Sequence, residues 1–237
     1  MNPTVVAVSR SHHCRLVHLS SDLVYSGAGP GGYVETDPVD PVTVYGRTMA
    51  EAELTIRAAD PAAAILRISL PMGPSFNRHA GAIDWIQSRF KAHRPATLYF
   101  DEVRSCTYCD DLTDVFEKML CGNASGIFHC GGPTPRTLYQ IAQVINRVGD
   151  YRPELLKGCP RREAGPMPPR AGDVTMSSAR LITELGEQPF QPWPLGPELT
   201  PTRGDWHFER PAMEARSTAE IGSRLYRYRS DICSLVP

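Results

Sequence analysis

Two short apolar runs on either side of one helix-length segment constrain the fold most. Residues 15–20, with Leu16, Val17 and Leu19, and residues 63–70 have strand length and composition. Between them Asp40-Pro41 offers an N-cap aspartate and a proline at the first helical position, predicting a helix that runs to Ala59 and ends at Asp60-Pro61. Strand, helix, strand is a parallel crossover, because neighbouring parallel strands need a connection of roughly a dozen residues or more. A short helix over 4–11 precedes the first strand. The glycine- and proline-rich stretch 26–41 has no regular pattern.

Further along, the pattern predicts helices over 80–92, 110–120 and 137–148, an extended piece at 97–100 and a third core strand at 126–130. Residues 158–172 read as loop, dense in proline and arginine, followed by a small helix over 178–185 and a proline-rich stretch over 188–201. A last helix over 212–232 is interrupted by Gly222, and its apolar residues form no stripe.

Charge and cysteine content narrow the function classes. Lysine plus arginine (25) balances aspartate plus glutamate (26), which leaves no broad basic face for nucleic acid or an anionic membrane. No apolar run approaches the ~20 residues of a membrane span and no secretory leader opens the chain, so a cytoplasmic location is expected. The seven cysteines are odd in number and scattered, which points to reduced thiols rather than a disulfide framework. Cys106 and Cys109 have metal-ligand spacing, and His12, His13, Cys14 and His18 cluster, but neither group has the second pair that a zinc site needs. No metal is expected.

The chemistry is carried by Ser20-Ser21-Asp22 at the carboxyl end of the first strand, the edge where ligands bind in open α/β sheets, and by Tyr45 about two dozen residues later. A hydroxyl residue after a strand and a tyrosine on the next helix resemble the catalytic arrangement of the short-chain dehydrogenases and reductases. The surrounding text is similar to their extended, sugar-nucleotide branch. The matching segments are LVHLSSDLVYSG from Leu16, YVETD from Tyr33, LRISLPMGP around Arg67, then Asn77, DEVR from Asp101 leading to Thr107, and Asp110-Asp111-Leu112. GIFHCGG from Gly126, Pro169-Arg170 and Asp173-Val174 continue the match in order to about residue 190.

That resemblance implies an α/β fold: the C-terminal half of a Rossmann-like parallel sheet over 1–75, a smaller α/β sugar-nucleotide lobe over 76–195 with elements returning to the sheet, and an unassigned tail over 196–237. It implies an NADP- or NAD-dependent reductase of a 4-keto nucleotide sugar, dTDP-4-dehydrorhamnose reductase-like, with a dTDP-sugar as substrate. Ser21 would hold the keto oxygen and Tyr45 would be the general acid. Met49 stands where the family has lysine, and Ser20, Tyr45 and Met49 would face the cofactor. Asp22, Asn77, Arg104 and Arg170 would line the substrate, the last three near its diphosphate.

Two departures accompany the match. A thioether at Met49 supplies neither charge nor donor to a nicotinamide ribose. No glycine-rich turn precedes Ser20, so the expected chain lacks the front of the dinucleotide site and leaves a sheet edge for a second copy or a partner subunit to cover. The alternative is a non-catalytic sugar-nucleotide-binding or regulatory subunit of the same fold, of the kind represented by the regulatory beta subunit of methionine adenosyltransferase.

Overall fold

The computed structural model describes residues 3–73, 75, 81–210 and 225–226. Helix α1 (Pro3–Ser11) leads into β1 (Val17–Ser21), α2 (Val44–Ala59) and β2 (Ala64–Ile68), and β1 and β2 pair in parallel from Val17 opposite Ala64 to Ser21 opposite Ile68. There follow β3 (Pro71–Met72), α3 (Ala82–Lys91), β4 (Ala96–Tyr99), β5 (Val103–Ser105), β6 (Thr107–Tyr108) and α4 (Cys109–Cys121). Strand β7 (Gly126–Cys130) then joins the far side of β2, again in parallel, giving the order β1-β2-β7. Strand β8 (Pro135–Thr137), α5 (Leu138–Val148), β9 (Leu156–Cys159) and α6 (Ala179–Leu185) complete the described elements.

The second helix starts later than Asp40-Pro41 predicts. Thr43 is the N-cap, accepting the Gly46 amide at 2.9 Å. Asp40 is drawn off by a competing partner: its carboxylate accepts the Ser26 amide at 2.8 Å and the Ser26 hydroxyl at 2.5 Å, pinning the loop. The side chain is turned to a residue 14 positions away, and Thr43 caps the helix in its place.

Alternation along the strands sorts the sheet into two faces. Ala64, Leu66, Phe128 and Cys130 pack against Val115 and Met119 of α4 and Leu181 of α6. On the opposite face Ile65 and Ile127 meet Val6 of α1 and Ile56 of α2. Further along that second face Ser20, Arg67 and His129 stand side by side in register across three strands. Burying such groups is costly unless each is paired. Glu53 of α2 supplies the partner, taking Arg67 Nε at 2.9 Å and Nη2 at 2.6 Å and also the Ser20 hydroxyl. Arg67 Nη1 donates to the Tyr25 hydroxyl at 2.5 Å, and that hydroxyl lies 3.0 Å from His129 Nε2. This belt fixes α2, and the flap holding Tyr25 and Tyr33, to the sheet.

The smaller lobe has its own core. Ile141, Val144, Ile145 and Val148 form the inner face of α5 and belong to one cluster with Ile83, Ile86 and Phe90 of α3. Thr137 and Gln140 close a capping box at the start of α5. Strand β9 pairs in parallel with β4 and reaches into the stretch expected to be loop from residue 158; Leu-Lys-Gly-Cys is too short to show alternation. Leu199 and Trp206, in the tail left unassigned above, enter this core beside Trp193, and Arg147 lies 4.1 Å from the Trp206 ring centre. The helix expected over 212–232 falls outside the described residues except for Leu225 and Tyr226, which join the lobe core.

Among the described residues β1 has a partner on one edge only, and Leu19 on it is 43% exposed. No helix of the described residues is long and apolar enough to cross a membrane.

Candidate active site

The carboxyl ends of β1 and β2, the start of α2 and the lobe enclose a cavity of about 750 Å³, a volume in the usual range for small-molecule sites. Ser21 lies at the end of β1 with extended backbone and points the opposite way from Ser20, as the period of two requires. Its hydroxyl donates to Asp22 Oδ1 at 3.1 Å and accepts the Leu23 amide at 3.2 Å. Tyr45 is in the first turn of α2, lines the same cavity and is 52% exposed despite its size. The structure therefore brings Ser21 and Tyr45 to one cavity from two elements.

Ser20 does not join them. Its hydroxyl is committed to Glu53 in the buried belt, on the face that the strand's alternation turns away from Ser21 and the cavity. Met49, one turn beyond Tyr45, is half-buried against the cluster of Val24, Tyr25 and Ala50 and lies outside the cavity wall. Asn77 falls outside the described residues.

Asp22 is buried in the cavity floor. Its Oδ2 accepts the Ser69 hydroxyl at 2.7 Å and faces Arg104 Nε at 3.7 Å. Loss of solvent raises its pKa above the ordinary carboxylate value, against the opposing pull of Arg104 and the two serines.

The two arginines expected at a diphosphate have different surroundings. Arg104 is buried, and it donates to Glu102 Oε1 at 2.6 Å and to the carbonyls of Val103 and Gly172 at 3.0 and 3.2 Å. It is a strut between β5 and the segment at Gly172. Arg170 is partly exposed and donates through Nε and Nη2 to both oxygens of Glu102, at 2.7 and 2.9 Å, while its guanidinium lies 5.1 Å from the Tyr99 ring centre. Glu102 uses only two of its three nitrogens in these bonds, so Arg170 keeps donors for an incoming anion.

Glu102 and Ser69 fall within the matching segments without a role implied for them, and Trp85 and Tyr99 fall outside those segments; all four line the cavity. For Trp85 there was a signal: it is a large aromatic off the apolar face of its own helix.

A nicotinamide dinucleotide needs a glycine-lined turn where its pyrophosphate can approach the backbone. Gly131-Gly132, between β7 and β8, has no such room: a Cβ on Gly132 would lie 1.8 Å from the Cys106 carbonyl oxygen and one on Gly131 2.9 Å from Ser105 Cβ, whereas Gly29 and Gly32 in the connection from β1 to α2 face open space. Met49 gives no donor, so at the family's lysine position the described residues do not supply the ribose contact of a nicotinamide dinucleotide. Cys106 is buried, which pushes its thiol up to about 12, and Cys109 is pushed up to about 11 by burial. Among the described residues no group of three or more histidine, cysteine, aspartate or glutamate side chains could hold a metal ion.

The family model described as RmlD substrate binding domain matches residues 2–196. The spore coat polysaccharide biosynthesis protein SpsK of Bacillus subtilis is 28% identical over 176 residues, covering 73% of this chain and 59% of that protein. A dTDP-4-dehydrorhamnose reductase of Aggregatibacter actinomycetemcomitans is 30% identical over 141 residues, covering 56% of this chain and 47% of the relative. The crystal structure of a dTDP-4-dehydrorhamnose reductase from Bacillus anthracis in complex with NADP superposes with a TM-score of 0.72 at 20% identity, covering 81% of this chain and 66% of that one. The matched segments thus span between about half and two thirds of these proteins' lengths.

Proposed function

The chain belongs to the RmlD substrate-binding-domain family, and from that premise we propose that it is the sugar-nucleotide-recognising part of a dTDP-4-dehydrorhamnose reductase-like protein. One observation carries the reading: Ser21 and Tyr45 share a cavity whose wall also holds Arg170. A 4-keto nucleotide sugar would place its carbonyl oxygen between the two hydroxyls and its diphosphate at Arg170. Ser21 would turn its proton from Asp22 to that oxygen, and the Tyr45 hydroxyl would donate to it from the other side. NADP or NAD would supply the hydride in a reductase of this type, and Met49 offers its ribose no donor. The free edge of β1 is where a further strand, from a second copy or a partner subunit, would add.

The test is calorimetric titration of the purified chain with a dTDP-4-keto-6-deoxy sugar. Saturable binding that free dTDP competes away is the expected result. Absence of binding at millimolar concentration overturns the reading. Binding without any NADPH oxidation, in a form that does hold the cofactor, would favour a non-catalytic binding subunit.

A further inference from the structure

We propose that Trp85 is the stacking platform for the nucleobase of the bound nucleotide sugar. The inference rests on the nucleotide-sugar reading above and adds a residue that determines how the ligand is held. Helix α3 buries Ile83, Ile86, Gln87 and Phe90, at the spacing of its inner face. Trp85 is off that face and 44% exposed, yet it lines the cavity. Leaving a large indole half in water forgoes much of the stabilisation its burial would give.

The surroundings of the indole favour a flat ligand. The Arg89 guanidinium, one turn along, lies 5.6 Å from the ring centre and is held by its own bond from Nε to the Pro95 carbonyl at 2.6 Å. A ring backed by a fixed cation on one side has its other side for an incoming π system. Tyr99, on β4 of the same lobe, has the same construction with Arg170 as the cation. The groups suited to a sugar carbonyl, Ser21 and Tyr45, come from β1 and α2, whereas the aromatic residues come from α3 and β4. A molecule with a carbonyl-bearing ring, a diphosphate and a planar base meets hydroxyls, a cation and an aromatic wall in the same cavity.

The chain contains three tryptophans, and Trp193 and Trp206 are buried in the lobe core. Of the three only Trp85 lines the cavity, so ligand-dependent quenching of the intrinsic fluorescence should report on it. Titration with dTDP is expected to quench the wild-type chain saturably, and Trp85→Phe should lose the quench while calorimetry shows affinity within a few-fold. Trp85→Ala should weaken dTDP about 10- to 100-fold, the usual cost of removing a base-stacking ring, and leave the affinity for inorganic pyrophosphate unchanged. Equal dTDP affinity in wild type and Trp85→Ala would overturn the assignment while leaving the nucleotide-sugar reading in place. A loss confined to the sugar-bearing nucleotide would assign Trp85 to the hexose and overturn it equally. If wild type binds no dTDP, the nucleotide-sugar reading fails and this one with it.

Discussion

Arg67 of β2 grips both carboxylate oxygens of Glu53 on α2, at 2.9 and 2.6 Å, with both side chains buried. The pair ties the helix that carries Tyr45 to the sheet that carries Ser21. Removing one partner leaves a buried charge without compensation, so Glu53→Ala should lower the unfolding free energy by roughly 3–5 kcal/mol. Chemical denaturation monitored by circular dichroism measures this. A change below about 1 kcal/mol would mean that water or a rearranged neighbour replaces Glu53 at little cost.

His129 lies in the same belt, with Nδ1 3.1 Å from the Tyr33 carbonyl and its amide donating to Glu35 at 2.9 Å. Burial depresses its pKa from 6.5 to about 4, with Glu35 pulling up and Arg67 pulling down. The imidazole is therefore neutral in the folded chain where the unfolded chain would already bind a proton. Its contribution is fully present above pH 6.5 and is lost as pH falls towards 4, to the extent of a few kcal/mol. Stability measured across that window should fall on acidification, and His129→Gln should flatten the slope. An equal slope in both proteins would assign the acid sensitivity to other groups.

Arg104 and Arg170 should separate in mutagenesis. Arg170→Ala is expected to weaken dTDP binding about 10-fold or more while changing the melting temperature little, because Arg170 is partly exposed. Arg104→Ala should instead destabilise the fold by several kcal/mol, since Asp22 and Glu102 stay buried beside an emptied site. Paired calorimetry and thermal melts decide it; the reverse assignment would make Arg104 the anion ligand.

Restoring the family lysine should not by itself restore cofactor binding. Met49→Lys adds a donor one turn beyond Tyr45, but the side chain at that position packs against Val24, Tyr25 and Ala50 and lies outside the cavity wall. Titration with NADPH should show no saturation below the millimolar range for wild type or variant. Micromolar binding by either would overturn this expectation.

Leu19 on the free edge of β1 should promote self-association. Leu19→Lys is expected to reduce the scattering of concentrated protein without lowering its melting temperature. If wild type is already monodisperse at high concentration, the edge is protected in some other way.

The parallel crossover was legible in the sequence because the information is local: apolar runs at 63–70 and 126–130, a helix bounded near Ala59, and turn residues between them. Ser21 and Tyr45 were legible for a related reason, since each sits at the end of an element whose type its neighbours declare. Which serine faces the cavity needed the strand's phase, and Ser20 and Ser21 are equivalent without it. Arg104 and Arg170 likewise look alike in the chain. Only the fold puts Glu102 between them, buries one and leaves the other partly exposed. The helix start at Thr43, the pairing of Glu53 with Arg67 and the cavity position of Trp85 depend on contacts between distant residues. Periodicity and capping act over a few residues and are written in order along the chain. Partnership of charges and the walls of a cavity are set by packing, so the tertiary structure alone decided them.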